Sequence, residues 1–169
     1  DLINYTYPSD KDLEEVGVTG LFLGHYLEWD GLSNSIISQA YGFKTSKKIV
    51  EGSIVNYENL DNYQTGIHDY FKFLKFGFGR ATDIASLHIR RGRITRDEAK
   101  KIVLVNDGKF PWKYLGKKLS SILQPLDMSV QEFISICDSF TNKSLFKKDL
   151  NGNLVKDKKG NLEKINYDN

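Results

Sequence analysis

The residues best equipped for chemistry are cations gathered around one pair of glycines. Lys75, Arg80, Arg90, Arg93 and Arg96 crowd the stretch from His68 to Ala99, and Gly77-Phe78-Gly79 lies among them. Ammonium and guanidinium groups beside a helix start attract anions, because unpaired backbone N–H groups and the helix dipole add to their charge. The two glycines allow positive φ or close backbone approach, so the turn reads as a cradle for an anionic ligand. It is neither the P-loop pattern nor the dinucleotide fingerprint. A plainer reading makes His68, Lys72 and Lys75 a solvated helix flank and the glycines a simple stop. A second group, Tyr26, Trp29 and Asp30, follows a short apolar run. In open α/β sheets that rim is where ligands sit.

The elements that must carry these groups are mostly helical. Ile67, Phe71 and Leu74 fall at i, i+4 and i+7, which predicts a helix that Gly77 ends. Thr82 is placed to cap the next helix, with Asp83, Ser86 and Arg90 on one side and Gly92 as its stop. Thr95-Arg96-Asp97-Glu98 is a capping box opening a third helix, which buries Ile102 and Val103 and reaches Asn106. Pro111 suits the first turn of a helix running to about Leu123. A second capping box, Ser129 to Glu132, opens a helix with the apolar stripe Val130, Phe133, Ile134, Cys137 and Phe140.

Before this block, Ser9 or Asp10 can start a short helix, and Val18 to Leu23 reads as a buried strand. A helix from near Ser33 is expected to bury Ile36, Ile37, Ala40 and Tyr41 and to stop at Gly42. Ile49 to Tyr57 is an irregular strand pair or an ordered loop. Beyond Asp149 the chain turns at Asn151-Gly152 and Lys159-Gly160, as a small β-meander or a mobile tail would. No internal repeat stands out. The expected fold is mainly α with a small α/β remnant at the N-terminus. Residues 1–42 are read as the end of a nucleotide-binding-type sheet, 43–148 as a helical module and 149–169 as a polar tail or short meander.

Composition narrows the function classes. The 169 residues are 40% hydrophobic and 12% aromatic, values of a chain that folds around a core. A net charge of +2 is too small to indicate nucleic acid or a membrane surface. One cysteine excludes an internal disulfide framework. His25, His68 and His88 lack zinc spacing, and no metal site is expected. No run approaches the ~18 apolar residues of a membrane span, and no signal peptide opens the chain, so the expected location is the cytoplasm.

The runs Tyr57-Glu58-Asn59-Leu60, Ile67-His68-Asp69-Tyr70, Leu74 to Asp83, Ile89-Arg90, Gly92-Arg93 and Thr95 to Ala99 resemble the C-terminal part of the N-acetyl sugar amidotransferase family. Tyr26, Trp29-Asp30 and Phe140-Thr141-Asn142 are similar to it as well. That family belongs to the ATP pyrophosphatase (PP-loop) group and acts in surface-polysaccharide and nonulosonic acid pathways. The resemblance implies an ATP- and Mg2+-dependent conversion of a sugar's acetamido group to an acetamidino group, with ammonia from a glutaminase. It implies catalytic roles for Lys75, Arg80, Arg90 and Arg93 at charge developing on phosphate. Tyr26, Trp29, Asp30, Glu58 and His68 would meet the sugar, and Gly77, Gly79 and Asp83 the nucleotide. Glu58, Asp69 or Asp83 would ligate magnesium or hold the cations.

The family's Ser-Gly-Gly-Lys-Asp-Ser-like phosphate loop and its Cys-rich segment are absent from these residues. The chain is therefore expected to be the C-terminal half of the enzyme, binding ATP weakly alone and working with a PP-loop half, a glutaminase and, as a homodimer, a second copy. The alternative is a helical docking or oligomerisation domain for the glutaminase, in which Tyr70, Phe71, Phe73, Phe76 and Phe78 form the interface.

Overall fold

The computed structural model describes residues 2–165. Its helices are α1 (Asp10–Val16), α2 (Gly31–Ala40), α3 (Thr65–Phe76), α4 (Arg80–Arg90), α5 (Arg96–Asn106), α6 (Leu119–Leu123) and α7 (Val130–Phe140). One two-stranded antiparallel sheet, β1 (Lys113–Tyr114) with β2 (Lys117–Lys118), separates α5 from α6. The fold is mainly α, as the spacing of apolar residues predicts.

Local signals explain most helix ends. Gly77 takes a left-handed conformation (φ 75°), and its N–H donates to the Phe73 carbonyl, closing α3. Both capping boxes form, Thr95 with Glu98 at α5 and Ser129 with Glu132 at α7. Ser9 and Asp12 make a third box at α1.

Three elements depart from expectation. Val18 to Leu23 forms no strand: Val18 to Phe22 is irregular and a single 3-10 turn runs Leu23–His25. Among the described residues no strand lies alongside this stretch, and Phe22 is 89% exposed. The next helix begins at Gly31 under an Asp30 cap, and it buries Ser35 while Ile36, Ile37 and Tyr41 stay exposed. After Pro111 there is a hairpin, not a helix, because Leu115 (φ 48°) and Gly116 (φ 79°) are both left-handed, the geometry of a tight hairpin turn. Residues 49–57 form an ordered loop whose Val50, Ser53 and Val55 are buried.

The core joins α3, α6 and α7. Tyr70, Phe73 and Leu74 of α3 meet Phe133 and Cys137 of α7 and Leu119 and Leu123 of α6. Each such side chain contributes roughly 1.5–3 kcal/mol when fully buried. Phe110, Phe146 and Leu162 close the cluster, and Val50, Tyr114 and Ile122 form a smaller one.

The last segment is a meander built on a repeat missed in the sequence. Asp149-Leu-Asn-Gly-Asn153 and Asp157-Lys-Lys-Gly-Asn161 are two copies of one turn, eight residues apart. In each, the first Asp accepts from the backbone N–H of the closing Asn, at 2.8 Å and 2.9 Å, and from that Asn's amide. Bridges Phe146–Lys164, Lys148–Leu154 and Lys156–Leu162 join the passes. Phe146, Leu154 and Leu162 recur every eight residues and pack on the core. Two copies sharing Asp, Gly and Asn are too short a signal to separate from ordinary turn composition.

Candidate functional site

The expected cation cluster is divided among separate carboxylates. Arg80, at the start of α4, makes a two-pronged contact with Asp69 of α3: its Nε and Nη2 donate to Asp69 Oδ2 and Oδ1, both at 3.1 Å. One helical turn along each helix, Lys72 pairs with Asp83. Arg93, just past α4, grips the α2 cap Asp30 in the same two-pronged way, with Nη1 donating to Oδ1 at 3.1 Å. This guanidinium holds the buried Asp30 carboxyl far below the usual carboxylate range.

The other expected residues lie apart. Lys75 sits 5.4 Å over the Phe140 ring. Arg90 is exposed on α4, and Tyr26 and Trp29 are exposed on the segment before α2. The Trp29 contribution is its backbone, whose carbonyl accepts from Arg91 Nη2 at 2.9 Å. His68 is largely exposed, with Nδ1 3.2 Å from Asp69 Oδ1. Gly77 accepts Lys164 Nζ at its carbonyl, 2.7 Å away. Of the proposed interface aromatics, Tyr70 and Phe73 are core residues, Phe71 is half-buried, and Phe76 and Phe78 are exposed.

The Gly-Phe-Gly turn is already filled by a carboxylate of this chain. Asp107, at the end of α5, reaches back across 28 residues to α4. Its Oδ2 accepts from the Gly79 N–H at 2.8 Å and from the Thr82 hydroxyl at 2.6 Å. Thr82 is therefore not the cap of α4. Gly79 is the cap residue and Asp107 provides the oxygen. A β-carbon at Gly79 would stand 2.6 Å from Asp107 Oδ1, so the close approach needs glycine. An anion at this helix start would have to displace a carboxylate held by two hydrogen bonds. Sequence spacing could not show this, since Asp107-Gly108 also reads as a plain turn.

Glu58 is different. It is half-buried, and neither oxygen has a hydrogen bond or ion pair with a described residue. Burial pushes its carboxyl above the usual range, the Arg80 charge opposes that, and Asp69 and Asp83 reinforce it. Its Oε1 lies against Gly31, where a β-carbon would come within 3.3 Å. Next to it, burial also raises the Tyr57 hydroxyl. Where α2, α3 and α4 meet there are thus three ion pairs, Arg80–Asp69, Lys72–Asp83 and Arg93–Asp30, and one carboxylate, Glu58, with no partner among the described residues. No group of three or more His, Cys, Asp or Glu side chains suited to a metal ion exists among the described residues.

Residues 51–158 match the family model described as LPS biosynthesis protein WbpG-like, C-terminal domain. The chain belongs to this family. The match covers more than half of the sequence and spans α3 through α7 and the first turn of the meander. It assigns the WbpG-like domain to lipopolysaccharide biosynthesis. No curated protein matches the chain. No described helix is long and apolar enough to cross a membrane.

Proposed function

We propose that this WbpG-like domain is the C-terminal, sugar-handling part of an ATP-dependent N-acetyl sugar amidotransferase, which converts an acetamido to an acetamidino group with ammonia from a glutaminase. The observation that carries the reading is the family match over residues 51–158, which assigns the domain to lipopolysaccharide assembly. The amidotransferase resemblance supplies the chemistry.

Within this reading Glu58 is the acid–base residue. Once the amide oxygen is adenylated with release of pyrophosphate, ammonia adds to the carbon, the oxygen departs on AMP, and the added nitrogen must give up a proton to a base. A carboxylate whose pKa is raised and whose oxygens are unengaged is suited to take that proton. Arg80, locked on Asp69, provides a fixed positive charge beside it. Lys72–Asp83 and Arg93–Asp30 are positioning pairs that hold α3, α4 and α2 around Glu58.

ATP and Mg2+ belong to a separate PP-loop body in this proposal. What favours this is Asp107 occupying the α4 start, where a phosphate would otherwise meet the helix N–H groups. A docking role is favoured by a second observation. Phe22, Trp29, Ile36, Ile37 and Tyr41 expose an apolar surface before residue 43, as an interface with the PP-loop body, a glutaminase or a second copy would.

The test is Glu58→Gln in the assembled enzyme. The expected result is a fall in kcat of ~10²-fold or more with partner co-purification unchanged, and loss of the limb of the pH profile on which rate rises as the carboxyl ionises. Loss of co-purification with an unaltered rate per assembled complex would favour docking instead.

A further inference from the structure

The meander sets an aromatic wall at Phe110 and Trp112. The Trp112 indole N–H donates to the Lys159 carbonyl at 2.6 Å, and the Phe110 N–H donates to Asn161 Oδ1 at 2.8 Å. This wall closes a cavity of about 250 Å³ beside Arg80 and Asp69. The carboxylates there are engaged within the chain: Asp69 by Arg80, Asp107 by Gly79 and Thr82, and Glu51 by the Leu115 N–H. Unspent charge lies next door.

An open groove of about 640 Å³ runs between the loop 46–52, the end of α5 and the β1–β2 hairpin. Lys47, Lys48, Lys109 and Lys113 line it, and among the described lining residues Glu51 is the one carboxylate. Lys47 and Lys48 are exposed and form no ion pair with a described residue. Lys113 stands 3.7 Å from Glu51, an exposed pair of a kind that contributes little. Lys109 donates to the Leu104 carbonyl at 3.5 Å and acts on the Asp157 carboxyl of the meander. Lys118 faces Lys113 directly across the hairpin ladder, where like charges oppose pairing. A net charge of +2 averages this concentration away. The loop itself is fixed in place. Its Ser46 N–H donates to the Asn56 carbonyl at 2.8 Å, and its Gly52 carbonyl accepts from the Ala81 N–H at 3.1 Å.

What the groove has and lacks decides the kind of anion. Its cations are lysines, and among the described lining residues there is no arginine to grip one phosphate in a fixed fork. No ring lines it on which a base could stack. Its apolar members are aliphatic: Ile49 is 56% exposed, Val105 is 68% exposed and Leu115 is half-buried. The exposed Lys101, one helical turn before Val105 on α5, extends the basic rim. Lysines around exposed aliphatic side chains are the pattern of a surface that rests on lipid.

We propose that this groove docks the chain on an anionic lipid surface. The lysines meet the phosphate headgroups, and Ile49 and Val105 enter the boundary between headgroups and acyl chains. The test is flotation of the full chain with phosphatidylcholine vesicles, with and without phosphatidylglycerol, beside binding of polyglutamate and oligouridine. The chain should float with phosphatidylglycerol vesicles, stay behind with phosphatidylcholine alone and be released by high salt. A lysine near an anionic surface is worth about fivefold in partitioning, so Lys47→Gln with Lys48→Gln should lower it about 25-fold. Ile49→Ser should lower it about fivefold at unchanged salt dependence. Lys143→Gln, exposed beyond α7 and outside the groove, should change it less than about twofold.

No binding to phosphatidylglycerol vesicles, equal binding to neutral ones, or capture of polyglutamate or oligouridine in their place overturns the proposal. An equal loss in Lys143→Gln and in the Lys47–Lys48 double variant does so too, since charge anywhere on the surface would then suffice. Vesicle binding needs neither ATP nor ammonia, so its failure leaves the Glu58 reading intact, and failure of the Glu58 test leaves the groove intact.

Discussion

Two regions of this chain use apolar residues in opposite ways. Among the described residues, every buried apolar side chain falls from Val50 to Leu162. In residues 2–43 the buried positions are polar, Asp30 and Ser35, while Phe22 and Tyr41 are each 89% exposed. The later region closes on itself through α3, α6, α7 and the meander. Among the described residues, the earlier one is tied to the later by polar bonds from Arg93 to Asp30 and from Arg91 to Glu28 and the Trp29 carbonyl. The lesson is that an apolar helix pattern says a face is to be covered, without saying by what. In α7 the pattern finds α3, while in α2 Ile36 and Ile37 stay exposed among the described residues.

The sharpest way to break this contrast is to cut into each side. Phe146→Ala removes a fully buried ring and should cost ~3–5 kcal/mol in urea unfolding. Ile37→Ala, on the exposed face of α2, should stay within ~0.5 kcal/mol. Equal losses would mean that residues 2–43 carry part of the core.

Asp107→Ala comes next. It leaves the Gly79 N–H and the Thr82 hydroxyl without their shared acceptor and should cost ~1–3 kcal/mol. It also vacates the α4 start, so inorganic phosphate should stabilise the variant more than the parent in thermal melts. A variant indifferent to phosphate would show that the surrounding cations do not serve an anion even when the turn is open.

The meander offers a matched pair with a smaller effect. Asn153 and Asn161 close identical turns, but only Asn161 also accepts the Phe110 N–H. Asn161→Ala should therefore cost ~0.5–1.5 kcal/mol more than Asn153→Ala by denaturant unfolding. Equal costs would remove the meander's part in setting the aromatic wall.

Acid should loosen the earlier region by a definite route. The Asp30 carboxyl is lowered in the folded chain, so its contribution is fully present above the ordinary aspartate pKa near ~3.9 and is lost as pH falls toward the depressed value. Circular dichroism at successive pH values should show Asp30→Asn to be insensitive over that window while the parent changes. Parallel titrations would detach Arg93 from this role.

How much was legible follows the same division. Helix starts and stops were readable where a side chain acts on its own turn, as at Thr95, Ser129 and Gly77. They were misread where the partner is remote, as at Thr82, whose hydroxyl goes to a residue 25 positions away. The cations stand out as a group by residue type alone. Their division into Arg80–Asp69, Lys72–Asp83 and Arg93–Asp30 depends on how α3, α4 and α2 lie beside one another, which spacing along one helix does not encode. The cavity beside Arg80 and Asp69 is not legible because its walls come from four separate stretches of chain.

Hydrogen exchange over the full chain tests the division most directly. The account predicts slow amide exchange in α3, α6 and α7 and in the bridged meander, set by global unfolding, with fast exchange through residues 2–43. Protection in α2 equal to that in α3 would contradict it.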